Sequence, residues 1–438
     1  MKRPATDGTE FVIPLAEFRA RGSHDGPGWT QQVGSKAHWL AVAMNDADIA
    51  ELGVVVPDGF VVTSNAYSMI TGLGADAGTS DRSLPVAIRE AISGAVGDLL
   101  ATGAQVAVRS SASVEDGPKA SFAGEFRSIL GVSTHSDVLE AYGLVVESAR
   151  SESALNAFDY LGIEADSVTM PVLVQRMVGS PSSVGGVLLS RYSTSGTAGV
   201  LIEAAKGGPR GVVSGEVDPV TLVVDSKGPA IERDPCGSQN LVPPHVVDTL
   251  SRLAGVGEGL VGAAVEIEWV WDPDADRTYL VQLRPLVDPS DRMHTIGAPH
   301  PPGSHTGAGS EPRYGHVVAA SGLGVGTGVV WAEPLVARSV DEALEIWNDP
   351  RFTDGYVLVV DTTSPDWLPL IRGASAVVTD TGGRTSHAAI VCRELGIPAV
   401  LGCGTAVEAI SRAEGLIGVA LDDSGVGTVF VQKRSTDG

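Results

Sequence analysis

Short apolar runs alternate with polar, glycine-bearing turns along this chain, and their spacing moves between a strand period and a helix period. Residues 85–103 and 136–161 have helical spacing, the second around Val138, Leu139, Tyr142, Val145 and Val146. Between them, Gln105–Val108 reads as a strand delivering Arg109–Ser113. Pro171–Val178 reads as a buried strand with Gly185–Leu189 as its partner. Val265–Val270 alternates in strand fashion, turns at 272–276, and continues in Thr278–Pro285, which places Glu268 and Gln282 opposite each other on a hairpin. Near the end, 375–380 is a short buried strand, and Ser386–Leu395 is a helix stopped by Gly396 with Pro398 beyond. Mixed α and β structure follows, with no internal repeat.

The turn Thr381–Thr385 joins that last strand to that last helix, so His387 sits at or just inside a helix N-terminus. Unpaired N–H groups and the positive dipole end favour added negative charge there, which suits an imidazole carrying a phosphoryl group. Gly382 and Gly383 allow close backbone approach, Arg384 offers a guanidinium fork, and Thr385 can orient the ring. A capping or packing histidine is the other reading of the same residues.

Gly382–Val391, followed by Arg393–Val400, resembles the phosphohistidine domain of phosphoenolpyruvate-utilising enzymes, which include phosphoenolpyruvate synthase, pyruvate phosphate dikinase and rifampin phosphotransferase. Gly34–Ser35–Lys36 and Gly53–Thr63 resemble the N-terminal segments of the same family's ATP-binding domain, and Val108–Gly124 resembles its Val-Arg-Ser-Ser-Ala, Glu-Asp, Ser-Phe-Ala-Gly signature. The pair Glu266–Trp269 and Gln282–Pro285 resembles its Asp-Ile-Glu-Trp and Gln-x-Arg-Pro segments. Leu201–Pro219 resembles the Gly-Leu-Gly-Glu and Val-Ser-Gly region, with Pro209–Arg210 in place of Gly-Glu.

The resemblance implies an α+β, ATP-grasp-like nucleotide-binding domain over 1–290, a linker over 291–312 and an α/β phosphohistidine swivelling domain over 313–438. His387, with Arg384 and Thr385, would be catalytic. ATP would contact Lys36, Arg109, Gln175, Met177, Val178 and Arg284, with Met177 packing on the base, while Glu268 and Gln282 would hold Mg2+. The implied reaction phosphorylates His387 from the β-phosphate of ATP, releases AMP, and passes phosphate to an acceptor. Pyruvate and rifampin are not expected as acceptors, because no acceptor domain is recognisable; a small hydroxyl-bearing metabolite is. Alternatives are a phosphocarrier or split-enzyme subunit that serves a separate acceptor-binding partner, and an ATP-grasp ligase.

Composition narrows this further. With 438 residues, 43% hydrophobic and 19% charged, the chain has the profile of a globular protein of about three domain-sized units. The excess of 53 Asp+Glu over 30 Lys+Arg, a net charge of -23, argues against nucleic-acid and anionic-membrane partners. Cys236, Cys392 and Cys403 are too sparse for a disulfide framework. No signal-peptide pattern or bilayer-length apolar run is present, so a cytoplasmic protein is expected. From Val287 to Arg313 the composition turns to Pro, Gly, Ser and His, the mark of a mobile linker, in which His294, His300 and His305 lack the regular spacing of metal ligands.

Overall fold

The computed structural model describes residues 10–21, 27–72, 84–112, 114–117, 120–121, 126–151, 154–155, 158–159, 162–194, 197–234, 241–286, 316–353, 355–413, 415–422 and 425–432. By its contacts the chain divides into two units, 1–183 with 252–286, and 184–251 with 287–438. The segment 184–251 groups by its contacts with the second unit.

The first unit begins with β1 (Val12–Pro14), β2 (Gly59–Val62), β3 (Val106–Ser110), a small hairpin of β4 (Asp116–Gly117) and β5 (Ala120–Ser121), then β6 (Ser128–Val132) and β7 (Val172–Arg176). Its main sheet has the order β1-β2-β7-β3-β6, with every pairing antiparallel. The helices Val86–Leu100 and His135–Ser148 supply Ile88, Ile92, Val96, Val138, Tyr142 and Val145 to one core with Val62, Val106, Val108, Val172 and Val174. The second of these helices starts where its spacing predicts but ends at Ser148, well short of 161.

In the second unit, β8 (Val184–Thr194), β9 (Thr197–Lys206), β10 (Val220–Asp225) and β11 (Gly228–Arg233) pair antiparallel in sequence order. This corrects one expectation: β8 pairs with β9, and the strand at 171–178 finds its partners in β2 and β3. Pairing of sequence neighbours across a short connection wins here, because closing a short loop costs little entropy. The hairpin of β12 (Val265–Asp272) and β13 (Arg277–Pro285) belongs to the first unit, and its register does set Glu268 against Gln282.

Seven strands then close a barrel: β14 (His316–Val325), β15 (Gly328–Val336), β16 (Tyr356–Val360), β17 (Ala376–Thr379), β18 (Ala399–Leu401), β19 (Ile417–Leu421) and β20 (Val426–Gln432). The central strands β15, β16, β17 and β18 run parallel. Parallel strands covered on both faces read as continuous apolar runs, and all of Tyr356–Val360 and Ala376–Thr379 is buried. Leu358, Val360 and Val377 pack with the helices Leu368–Gly373 and His387–Leu395, whereas Val357, Val359, Ala376 and Val378 join Val400, Val419 and Val429. Among the described residues no helix is long and apolar enough to cross a membrane.

Candidate active site

His387 opens the helix His387–Leu395 directly after its cap, Ser386, whose Oγ accepts from the Ala389 N–H and donates to the Gly383 carbonyl. Gly396 ends the helix in the left-handed conformation, at φ 68°, which glycine adopts without steric cost. The imidazole is buried, 8% exposed, and shares a 3.1 Å hydrogen bond through Nδ1 with Thr363 Oγ1. When Nδ1 donates in that bond, Nε2 keeps its lone pair. Burial lowers the imidazole pKa from 6.5 to about 4, so the ring is neutral, the form in which it is a nucleophile.

Thr363 follows β16, and the Thr381–Thr385 turn follows its parallel neighbour β17. Parallel alignment brings both strand ends to one edge, where ligands collect in parallel sheets. The sequence signal for Thr363 is the apolar run Tyr356–Val360 just before it, which forms β16.

The other two residues expected beside His387 are occupied within the protein. Arg384 is 5% exposed; its Nη1 and Nη2 donate to the Gly324 and Gly425 carbonyls, and its guanidinium lies 5.3 Å from the Tyr192 ring centroid. The fork assigned to a phosphate from sequence therefore fastens the loop to the barrel here. Thr385 Oγ1 donates to Glu203 Oε2, and Thr363 is the side chain that shares a hydrogen bond with the ring.

In the first unit, Lys36 lies on the helix Ser35–Met44 behind Gly34, whose φ of 78° is left-handed and whose missing Cβ would come within 1.4 Å of the Ser111 carbonyl oxygen. Only glycine permits that contact, which Ser111 completes by accepting from the Ala37 N–H and donating to the Val33 carbonyl. Lys36 Nζ donates to Glu115 Oε1 at 2.5 Å and to Ser110 Oγ at 3.2 Å. Glu115 is 2% exposed and also accepts from Ser110 Oγ and the Ala112 N–H.

Arg109 reaches the β12–β13 hairpin, where its Nη2 donates to Glu268 Oε2 at 3.2 Å and also to Gln282 Oε1, and its Nη1 to the Val281 carbonyl. Two oxygens from directly paired positions converge on one positively charged nitrogen, so the pair can share a cation. An all-oxygen pair completed by phosphate and water suits Mg2+, and the residues fit that ion. No group of three or more His, Cys, Asp or Glu able to hold a metal occurs among the described residues. Arg284 forms a separate pair with its cross-strand neighbour Glu266, through Nε at 3.0 Å and Nη2 at 2.6 Å.

Gln175 is buried, with Nε2 donating to the Pro57 carbonyl at 3.4 Å. Met177 is exposed just past β7; its N–H donates to the Gln105 carbonyl and its sulfur accepts from the Gly131 N–H at 3.0 Å. Val178 follows half-buried. Phe122–Gly124 of the Val108–Gly124 signature, the linker 291–312 with its histidines, and Cys236 lie outside the described residues.

A nucleotide-type cluster of paired cations and carboxylates in one unit and a histidine at a helix start in the other define a class, ATP-binding proteins with a histidine domain. Residues 76–243 match the family described as pyruvate phosphate dikinase, AMP/ATP-binding domain, and residues 352–422 match PEP-utilising enzyme, mobile domain. The chain is 30% identical to a phosphoenolpyruvate synthase of Pseudomonas aeruginosa over 98% of its own length and 60% of the relative's. It is 31% identical to the phosphoenolpyruvate synthase of Escherichia coli over 88% of its length and 54% of the relative's. The chain belongs to the phosphoenolpyruvate synthase and pyruvate phosphate dikinase family, and it spans little more than half the length of these relatives.

Proposed function

We propose that this chain catalyses dikinase-type phosphoryl transfer from ATP through His387. The observation that carries the reading is a buried, neutral imidazole at the first position of a capped helix, held through Nδ1 by Thr363. Nε2 attacks the β-phosphorus of ATP, the bond from that phosphorus to the α,β-bridging oxygen breaks, and AMP leaves. The pyrophosphoryl group loses its terminal phosphate to water or inorganic phosphate, and the remaining phosphoryl group passes from Nε2 to the acceptor.

Lys36, Arg109 and Arg284 are the cations that would meet the ATP phosphates. Each is now paired with a carboxylate, Glu115, Glu268 or Glu266, which holds the cation in place and with which the arriving phosphate would have to share it. Glu268 and Gln282 would hold Mg2+, which neutralises phosphate charge when bound. Residues 1–290, 291–312 and 313–438 serve as nucleotide domain, linker and histidine domain in this reading. Gln175, Met177 and Val178 lie on the adenine side, and Thr385 acts on His387 through the loop.

The acceptor is a small molecule. The relatives are named for phosphoenolpyruvate, so pyruvate enters the screen beside hydroxyl compounds. The deciding experiment incubates the purified chain with Mg·ATP and follows AMP, ADP and acid-labile protein phosphate. AMP with labile phosphoprotein, both lost in His387→Ala, is expected. ADP formed equally by the variant would replace the relay with ligase-type chemistry.

A further inference from the structure

The loop that presents His387 has the backbone form of an anion cradle, and it already holds anions. Glu203 on β9 is fully buried; its Oε1 accepts from the Arg384 N–H at 2.7 Å, and its Oε2 from the Thr385 N–H at 2.9 Å and Thr385 Oγ1 at 2.6 Å. Thr221 Oγ1 adds a 3.3 Å bond to Oε1. Asp218, just before β10, accepts from the Gly382 N–H at 3.0 Å. A Cβ at Gly383 would stand 2.5 and 2.6 Å from the two Glu203 oxygens, so the bare glycine is what lets the carboxylate in. The Gly-Gly pair, read from sequence as room for phosphate, is here room for a carboxylate.

Successive N–H groups at a helix start bind phosphate and carboxylate by the same physics, so the two compete. A phosphoryl group on His387 would bring close to two negative charges to a position two residues from Thr385. It would repel Glu203 and Asp218 and draw on the same N–H groups. Arg384 keeps its positive charge, but its Nη1 and Nη2 donate to the Gly324 and Gly425 carbonyls rather than to the groups around the His387 ring.

We propose that Glu203 and Asp218 form a charge-sensitive clasp, which holds the His387 loop while the histidine is bare and opens when it carries phosphate. The proposal rests on the phosphohistidine reading above. It makes the chemical state of His387 the signal for release: the bare ring stays fastened to the β8–β11 sheet, and the charged ring is freed toward its acceptor. The neutral bonds from Thr362 and Thr381 to the Gly215 carbonyl, at 3.1 and 2.6 Å, carry no such sensitivity.

Hydrogen exchange of the full chain tests this, reading the 381–386 segment against β16 as an internal reference. Wild type, Glu203→Gln, Asp218→Asn and the double variant are each measured with and without Mg·ATP, with labile phosphate counted on the same samples. Losing hydrogen bonds to charged acceptors should speed exchange of the segment about tenfold or more, in phosphorylated wild type and in the ATP-free double variant alike. The double variant should then gain no further response on phosphorylation, which distinguishes a charge sensor from a merely structural contact. Phosphate incorporated into wild type with exchange unchanged would overturn the clasp. So would a double variant that exchanges as wild type does. If no phosphate is incorporated, the functional reading fails, and His387→Glu carries the test by placing a negative group at the ring position. Faster exchange with β16 unaltered supports the clasp, and unchanged exchange refutes it.

Discussion

Thr363 Oγ1 and His387 Nδ1 lie 3.1 Å apart, a bond between residues 24 positions distant in sequence that engages Nδ1 and, in the proposed relay, leaves Nε2 to react. A nucleophile held on one nitrogen has one productive orientation, and small misplacements are costly. Thr363→Val keeps the shape and removes the partner. We expect labile phosphoprotein to form about 10–100-fold more slowly, with ATP binding unaltered, as read by quenched-flow phosphate incorporation and nucleotide titration. Thr363→Ser should restore most of the rate.

Protonation of His387 gives a pH signature. The folded imidazole has a pKa of about 4 and the unfolded one about 6.5, so between these values the unfolded chain binds the extra proton. This contribution to stability is fully present above pH 6.5 and is lost as pH falls toward 4, by on the order of 3 kcal/mol in all. Melting curves across that range should fall more steeply for wild type than for His387→Gln. The rate of phosphoprotein formation should lose no activity to His387 protonation down to about pH 5.

Lys36 and Glu115 form a nearly buried pair at 2.5 Å. Lys36→Met alone strands the carboxylate and should cost about 3 kcal/mol or more in chemical denaturation. The double variant Lys36→Met, Glu115→Gln should recover much of that stability while ATP binding stays lost. Calorimetric titration with Mg·ATP separates the two effects.

Gly34→Ala puts a Cβ within 1.4 Å of the Ser111 carbonyl at a left-handed backbone position. Carbonyl and backbone cannot both stay in place, so a loss of about 3 kcal/mol or more is expected, together with weakened ATP binding as the Lys36 helix shifts. Gly53→Ala, with φ 71° but open space around the added carbon, is the control and should cost less.

Local patterns in the sequence carried much of the site. Ser386 through Gly396 spells out a cap, a helix and its stop in consecutive residues, so His387 could be placed without any distant contact. The alternation of Val265–Val270 and the turn after it were enough to pair Glu268 with Gln282, because a hairpin's register follows from its connection. Glu203, Asp218 and Thr363 escaped the same reading. Each is an ordinary polar residue in its own segment, and its importance comes from a partner 24 to 182 positions away. Arg384 shows the converse. Beside two glycines and a histidine it reads as a phosphate ligand, yet the Gly324 and Gly425 carbonyls and the Tyr192 ring, all remote in sequence, take its side chain.

Near neighbours in the chain were enough to specify the strand-turn-helix that presents His387 and the hairpin that pairs Glu268 with Gln282, because both depend on local spacing and turn residues. Tertiary structure alone decided which groups those residues meet: Thr363 on the ring, carboxylates on the loop amides, and Glu115 on Lys36. Buried polar groups must find partners, and where no neighbour in sequence supplies one, the fold selects it from whatever the packing brings near.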